Sequence, residues 1–468
     1  MGKKIKEACG LFGIYNIKGA AEIMYYGLYA LQHRGQEACG MATVAAGKFK
    51  IIKGNGLIIE NFTETNLGLL TGKNGIGHVK YEKANNSEAS NIQPFVFKHR
   101  CGDFAIAHNG SIVNFREVRG NLENSGRLFQ SDSDAELLAH LVVNNLSDDF
   151  LSALIASLQQ IEGAFAFLIM TADKIYAIRD KHGLRPLSLG QLNGGYVIAS
   201  ETCAFNVIGA AFVRDLIPGE ILVFSSEGIE SVKYSSFSHH YLCAMEYAYF
   251  ARPDSNLEGL NVHTFRRNSG KALALEHPAP GDIVVGVPDS SLSAAMGYAE
   301  AAGLPYETGL IKNRYIGRTF IQPVRKTREK AVKLKLSTIA SVVKGKRVIL
   351  VDDSIVRGTT CKRIVGLLKD AGATEVHVRI ATPQITYPCF YGVDFTTYEE
   401  IIGATKTQER IKTAIGADSL EYLSMRSFYQ ITGRKELCDA CFTGKYPTNI
   451  YQALKEANKK EKTDEQCI

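Results

Sequence analysis

The chain has 468 residues, 45% hydrophobic and 22% charged, with every large residue type except tryptophan. That length predicts about two to four soluble domains with sizeable cores. A net charge of +6, spread over 54 basic and 48 acidic residues, suits anionic small ligands and excludes a nucleic-acid footprint built on one long basic run.

The leader MGKKIKEA carries lysines but no apolar stretch of about 7 to 15 residues, so it does not read as a secretory signal. The longest apolar run, GAFAFLIM at 163–170, is too short to cross a membrane. A cytoplasmic protein is expected, in which ten cysteines serve as thiols, metal ligands or a nucleophile rather than a disulfide framework. Cys9 follows the leader directly. Three readings are open for it: a small buried hydrophobe starting a strand, part of a signal segment, or a nucleophile exposed by loss of residues 1–8.

From residue 9 to about 235 the pattern is mostly β. ACGLFGIYNI, KFKIIKGNGLII, GDFAIAHNG, GAFAFLIMTA and GGYVIAS are short apolar or alternating runs bounded by Gly, Asn or Asp. AAEIMYYGLYALQHRG and DAELLAHLVVNNL have apolar residues at three- and four-residue spacing and predict helices. SDSD before the second is an N-cap cluster, with Asp132 or Ser133 as the cap. From about 280 the rhythm becomes strand, polar loop, helix: DIVVGVPDSSLSAAMGYAEAAG, then KRVILVDDSIVRGTTCKRIVGLLKDAG, then EVHVRIATP. Continuous β-branched runs of this kind predict a parallel α/β sheet with ligands at the strand C-termini. A β-rich domain over 9–235 is therefore followed by an α/β domain with C-terminal helices over 236–455. The tail 456–468 reads as charged and disordered.

In VILVDDSIVRGTT, 348–360, a buried strand ends in Asp352 and Asp353, and Ser354, Arg357, Gly358, Thr359 and Thr360 lead into a helix. Backbone N–H groups at that helix start, with the hydroxyls, would hold a phosphate monoester. The two acids cannot face the same anion, so they point to sugar hydroxyls or a Mg²⁺ on a diphosphate.

This stretch resembles the 5-phosphoribosyl diphosphate (PRPP) motif of type I phosphoribosyltransferases. With VPDSSLSAAMGYAE (287–300), IKNRYIGRTFIQP (311–323), CGLFGIY and LQHRGQEACG, the chain from Cys9 to about Tyr451 is similar to the glutamine PRPP amidotransferases, in their iron–sulfur, propeptide-processed branch. The resemblance implies an α+β N-terminal nucleophile glutaminase domain (αββα) followed by an α/β type I phosphoribosyltransferase domain. The implied activity is the first step of purine synthesis, in which ammonia from glutamine displaces diphosphate from PRPP to give 5-phosphoribosylamine.

The same resemblance makes Cys9 the nucleophile, after autocatalytic loss of residues 1–8. Its α-amine, with an unperturbed pKa of about 7.7–8.0, would be the general base. Asn109 and Gly110 of AIAHNGSIVNF become the oxyanion hole, although an Asn-Gly pair alone also reads as a hairpin turn. Arg34 lies close to the nucleophile, and Asp134 grips the glutamine α-amino group. HVKYEK departs from the family's HVRYST or HVRYAT: Lys80 replaces the arginine that clamps the glutamine carboxylate, and Glu82 and Lys83 replace small residues. Weaker glutamine use is expected, because lysine lacks the planar two-point fork.

Ser290 would share Mg²⁺ with Asp352 and Asp353, and Lys312, Arg314 and Arg318 would belong to a mobile lid that meets the diphosphate. Arg325, Lys326 and Arg328 fall where the family receives inhibitory purine nucleotides. The C-x-x-C of Cys438 and Cys441 alone is equally half a zinc site, a redox pair or chance. The resemblance adds Cys243 and Cys389 and a [4Fe–4S] cluster, with zinc the lesser occupant. A homotetramer is implied, with no nucleic acid or membrane partner. Two other readings use the same residues: a non-catalytic sensor of PRPP or purine nucleotides, and an ammonia-dependent paralogue with an impaired glutaminase.

Overall fold

The structure is a computed structural model. It describes residues 9–81, 89–147, 149–236, 239–313, 336–393 and 395–448. The leader, Glu82, Lys83, Arg314, Arg318, Arg325, Lys326, Arg328 and the C-terminal tail lie outside them. Two compact units are formed. The first takes in Met1–Cys243, Cys389–Asp394 and Tyr446–Ile468, and the second Ala244–Pro388 and Phe395–Lys445.

The first unit holds two antiparallel sheets. One is built from β1 (Gly10–Tyr15), β2 (Ala38–Ala45), β3 (Lys48–Asn55), β4 (Asn74–Lys80), β9 (Ser188–Leu192), β10 (Gly195–Ala199) and β11 (Ala211–Asp215), in the order β11-β9-β10-β1-β4-β2-β3. The other holds β5 (Phe95–Phe97), β6 (Phe104–Ile112), β7 (Gly163–Met170), β8 (Ile175–Arg179), β12 (Glu220–Ser225) and β13 (Gly228–Lys233), in the order β13-β12-β8-β7-β6-β5.

Strand alternation explains how they stack. Leu11, Ala42 and Ile76 of the first sheet share one core with Ala105, Ala107, Ala166 and Leu168 of the second. The alternate residues face outwards onto helices. Phe12 and Ile14 pack with Met24 and Leu28 of the helix Ala20–Ala30, and Ile106, Phe165 and Phe167 pack with Leu137, Leu141 and Leu154 of the helices Asp134–Asn145 and Phe150–Leu158. Four layers result, helix, sheet, sheet, helix. Central strands are thus covered on both faces, which is why GAFAFLIM is continuously apolar rather than alternating.

The expected strand KFKIIKGNGLII is shorter than read. β3 stops at Asn55, and Ile58–Asn61 turns into a short helix in which the Glu60 side chain accepts the Leu57 N–H. The helix Phe115–Asn124, with Phe115, Val118 and Leu122 buried, was not read from the sequence.

The second unit is built on four parallel strands, β16 (Ile283–Gly286), β19 (Arg347–Asp352), β20 (Glu375–Ile380) and β21 (Ser419–Tyr422), in that order. Two small pairs accompany them, β14 (Asn256–Leu257) with β15 (Leu260–Asn261) and β17 (Leu310–Lys312) with β18 (Leu336–Thr338). Val348 and Leu350 pack against Ile364, Val365 and Leu368 of the helix Thr359–Asp370, so the amphipathic stretch after DDSIVRG lies on the sheet. Among the described residues no helix is long and apolar enough to cross a membrane.

Candidate active sites

In the first unit Cys9 is buried at the mouth of β1. Its N–H donates to Asn109 Oδ1 at 3.0 Å, and its carbonyl accepts from Arg34 Nε at 3.0 Å. Asn109 and Gly110 lie inside β6, paired with Ala166 and Phe165 of β7, so they are not a hairpin turn. With Oδ1 engaged by Cys9, the Asn109 Nδ2 is a buried donor with no partner. An unsatisfied donor of this kind is expensive unless a ligand oxygen meets it, and it lies on the residue that already holds Cys9. Gly110 has φ +133°, and a Cβ there would fall 2.0 Å from the Ala164 carbonyl, so only glycine fits.

Lys80 ends β4, next to Val79, which pairs with Gly10 of β1. It is 3% exposed and donates to the Asn91 carbonyl at 3.1 Å. Ser133 is the cap of the helix Asp134–Asn145, its hydroxyl accepting from the Ala135 N–H. Asp134 is buried in the first turn and accepts the Ile112 N–H at 3.2 Å.

Asn91 and Gln93 tie these parts together and were missed in the sequence. Asn91 Oδ1 accepts the Asp132 N–H at 3.2 Å, while Gln93 Oε1 accepts the His108 N–H at 2.6 Å and its amide reaches Ser133. Glu136 anchors the same loop, accepting the N–H groups of Gln130 and Ser131 at 2.8 and 2.7 Å. Burial pushes its carboxyl up, but nearby His140 and the bonds from Gln130 and Ser131 prevail and hold it at about 2. Only NIQP, polar residues before a proline, hinted at this segment.

In the second unit Asp352 closes β19 and both it and Asp353 are buried. Ser291 Oγ donates to Asp352 at 2.9 Å, Ser290 Oγ to Asp353, and Ser354 Oγ to Asp353 at 2.7 Å. Burial raises both carboxyl pKa values, and the charge of Asp353 raises that of Asp352 further. Two buried acids that resist joint ionisation, with a hydroxyl beside them, suit a divalent cation or ribose hydroxyls.

Gly358 takes φ +74° as cap of the helix Thr359–Asp370, and no side chain caps that end. Thr359 and Thr360 open that helix. Arg357 is paired with Glu400 at 2.7 Å, and Lys312 with Asp289.

Cys243 and Cys389 belong to the first unit, Cys438 and Cys441 to the second. Cys389 Sγ accepts the Tyr391 N–H at 3.4 Å. Burial pushes this thiol up, opposed by the N–H groups of Tyr391, Val393 and Gly392 and by Arg185. A loop of donors around one sulfur suits a metal-bound thiolate. The turn after β8 supports both first-unit cysteines: Leu184 O accepts the Cys243 N–H at 3.2 Å, and Arg185 donates to Tyr391 O at 2.7 Å. In the second unit the Cys441 carbonyl accepts the N–H groups of Thr386 and Tyr387. Among the described residues no three His, Cys, Asp or Glu side chains are grouped as a metal site.

Comparison with known proteins bears on both units. Residues 82–207 match the glutamine amidotransferase domain and residues 272–383 the phosphoribosyl transferase domain. The amidophosphoribosyltransferase of Bacillus subtilis is 50% identical over 457 residues, covering 96% of each chain. That of Staphylococcus epidermidis is 47% identical over 463 residues, covering 97% of this chain and 94% of its own. The B. subtilis glutamine PRPP amidotransferase complexed with ADP and GMP superposes with TM-score 0.90 at 50% identity, over 95% of this chain and 98% of the other. A structure described as the allosteric regulatory enzyme of purine biosynthesis gives TM-score 0.91 at 50% identity, over 95% and 97%. Joined to the glutaminase-type four-layer unit and the PRPP-type loop, these likenesses show that the chain belongs to the amidophosphoribosyltransferases, the glutamine-dependent phosphoribosyltransferases that transfer ammonia to PRPP.

Proposed function

We propose that Cys9, freed at its amine by loss of residues 1–8, attacks the side-chain amide of glutamine. The α-amine takes the thiol proton, and the tetrahedral oxyanion is met by Asn109 Nδ2 and the Gly110 N–H. Ammonia leaves and water cleaves the thioester. Lys80 takes the glutamine carboxylate, Asp134 its α-amino group, and Arg34 steadies the nucleophile. The observation that carries this reading is the Cys9 to Asn109 bond, which leaves an orphaned amide donor, Asn109 Nδ2, on the residue touching Cys9.

In the second unit the 5-phosphate of PRPP sits on Ser354, Arg357, Gly358, Thr359 and Thr360. Asp352 and Asp353 receive the ribose hydroxyls and, with Ser290, a Mg²⁺ that when bound neutralises the diphosphate. Lys312, joined by Arg314 from outside the described residues, meets the diphosphate as ammonia displaces it from C1. The phosphate cations start paired with Asp289 and Glu400, so an incoming anion must displace those acids.

Cys243, Cys389, Cys438 and Cys441 hold a [4Fe–4S] cluster, supported by the donors around Cys389. Its role is structural or oxygen-sensing, since nothing in the transfer moves electrons. Anaerobically prepared protein is then brown with about four irons per chain; a colourless, zinc-loaded, active protein contradicts this. Purine nucleotides act as inhibitors, in keeping with the ADP and GMP bound by the B. subtilis relative. The chain works as a cytoplasmic homotetramer in the first step of purine synthesis.

The experiment is Cys9→Ala. The variant loses glutamine-dependent diphosphate release from PRPP but keeps the ammonium-dependent reaction. Retained glutamine use contradicts the assignment of Cys9, and absence of ammonium-dependent release in the parent favours a nucleotide sensor.

A further inference from the structure

Glu201 belongs to none of the roles above. It follows β10, where Ser200 pairs with Leu11 of β1, so its backbone is held beside the strand that Cys9 begins. Its side chain is fully buried. Oε1 accepts both Arg34 Nη1 at 2.6 Å and His33 Nε2 at 2.7 Å, and Oε2 lies 3.6 Å from Cys203 Sγ. Arg34 is itself fully buried in its side chain, and its Nε holds the Cys9 carbonyl at 3.0 Å.

We propose that Glu201 is a positioning residue of the glutaminase centre, acting on the nucleophile through Arg34. Guanidinium is planar, so fixing Nη1 on Glu201 fixes the direction in which Nε points. Asn109 then pins the nitrogen of Cys9 and Arg34 pins its carbonyl, which sets where the side chain starts. A displacement of about 1 Å from attack geometry costs about a hundredfold in rate. Glu201 also supplies a counter-charge to the buried Arg34. His33, part-exposed and donating to the same oxygen, holds the carboxylate from the solvent side.

This inference rests on the reading of Cys9 as nucleophile. The test uses the purified full-length protein with Glu201→Gln and Glu201→Asp, assayed with glutamine and separately with ammonium. Glu201→Asp keeps the charge and decides the matter if Glu201→Gln does not fold. The expected result is a fall of at least about tenfold in glutamine-dependent kcat, with the glutamine KM within about threefold and the ammonium-dependent rate within about twofold of the parent. The double variant Glu201→Asp with Arg34→Lys should then be no slower than Arg34→Lys alone, because both act through one contact. Unchanged glutamine kcat overturns the proposal, and so does a parallel fall in both activities, which would mark a purely structural role. If Cys9→Ala is inactive with glutamine while the Glu201 variants are normal, only this inference fails; if Cys9→Ala keeps glutamine use, the reading beneath it fails.

Discussion

Lys80 and Lys53 each donate to one of two adjacent carbonyls, Lys80 to Asn91 O at 3.1 Å and Lys53 to Ile92 O at 2.7 Å. Burial, and then the charge of Lys80, lowers the Lys53 pKa. The Lys80 ammonium is thus partly committed to the protein backbone. Lys80→Arg supplies a two-point fork for the carboxylate of the proposed glutamine site and should lower the glutamine KM by about tenfold, leaving ammonium-dependent turnover unchanged. Steady-state kinetics with both nitrogen donors check this, and an ordinary glutamine KM unimproved by the substitution would remove any meaning from the lysine.

His78, paired with Leu11 in the β1–β4 ladder, is fully buried and donates from Nε2 to His108 O at 3.1 Å. Burial first, then the charge of Lys80, lowers its pKa from 6.5 to about 3. The imidazole is neutral in the fold, whereas the unfolded chain takes up a proton below about pH 6.5. Its contribution is therefore complete above pH 6.5 and drains away as pH falls towards 3, by at most about 1.4 kcal/mol per pH unit. Denaturant titrations across that window should show a shallower loss for His78→Gln than for the parent. Equal slopes would mean that His78 is already protonated in the folded chain.

The Asp352 and Asp353 pair predicts opposite signs for activity and stability. Asp352→Asn removes one of two buried acids that oppose each other's ionisation, so the melting temperature should hold or rise. Diphosphate release should fall by about a hundredfold with glutamine and with ammonium alike, because the lost group belongs to the proposed PRPP site rather than the glutamine site. A variant as active as the parent would sever these acids from the transfer.

Glu136 offers a separate check on the proposed glutamine site. Its carboxylate holds the N–H groups of Gln130 and Ser131 just ahead of Asp134. Glu136→Gln should cost about 2 kcal/mol of stability at neutral pH and raise the glutamine KM. The stability part is present above the ordinary pKa of 4.5 and vanishes as pH falls through about 2. A variant with parental melting temperature and KM would show that the loop stands without this anchor.

Much of this was legible before any coordinates, for identifiable reasons. GAFAFLIM and VILVD are continuous apolar runs because both faces of those strands are buried, and the loop proposed to hold phosphate stands out as two acids followed by Ser, Arg, Gly and Thr at a helix start. What escaped were residues whose role is set by partners far away in sequence. Glu201 meets Arg34 across 167 positions, and Asn91 meets Asp132 across 41. No local periodicity encodes such meetings. The Asn-Gly pair was ambiguous for the same reason, since its strand setting depends on pairing with Ala166 and Phe165.

The central claim is that the working chain begins at Cys9. The intact mass of purified protein tests it most directly, against a full-length chain of 51.3 kDa. The account predicts a mass short by the residues MGKKIKEA. A preparation that retains those eight residues and hydrolyses glutamine at full rate would contradict it.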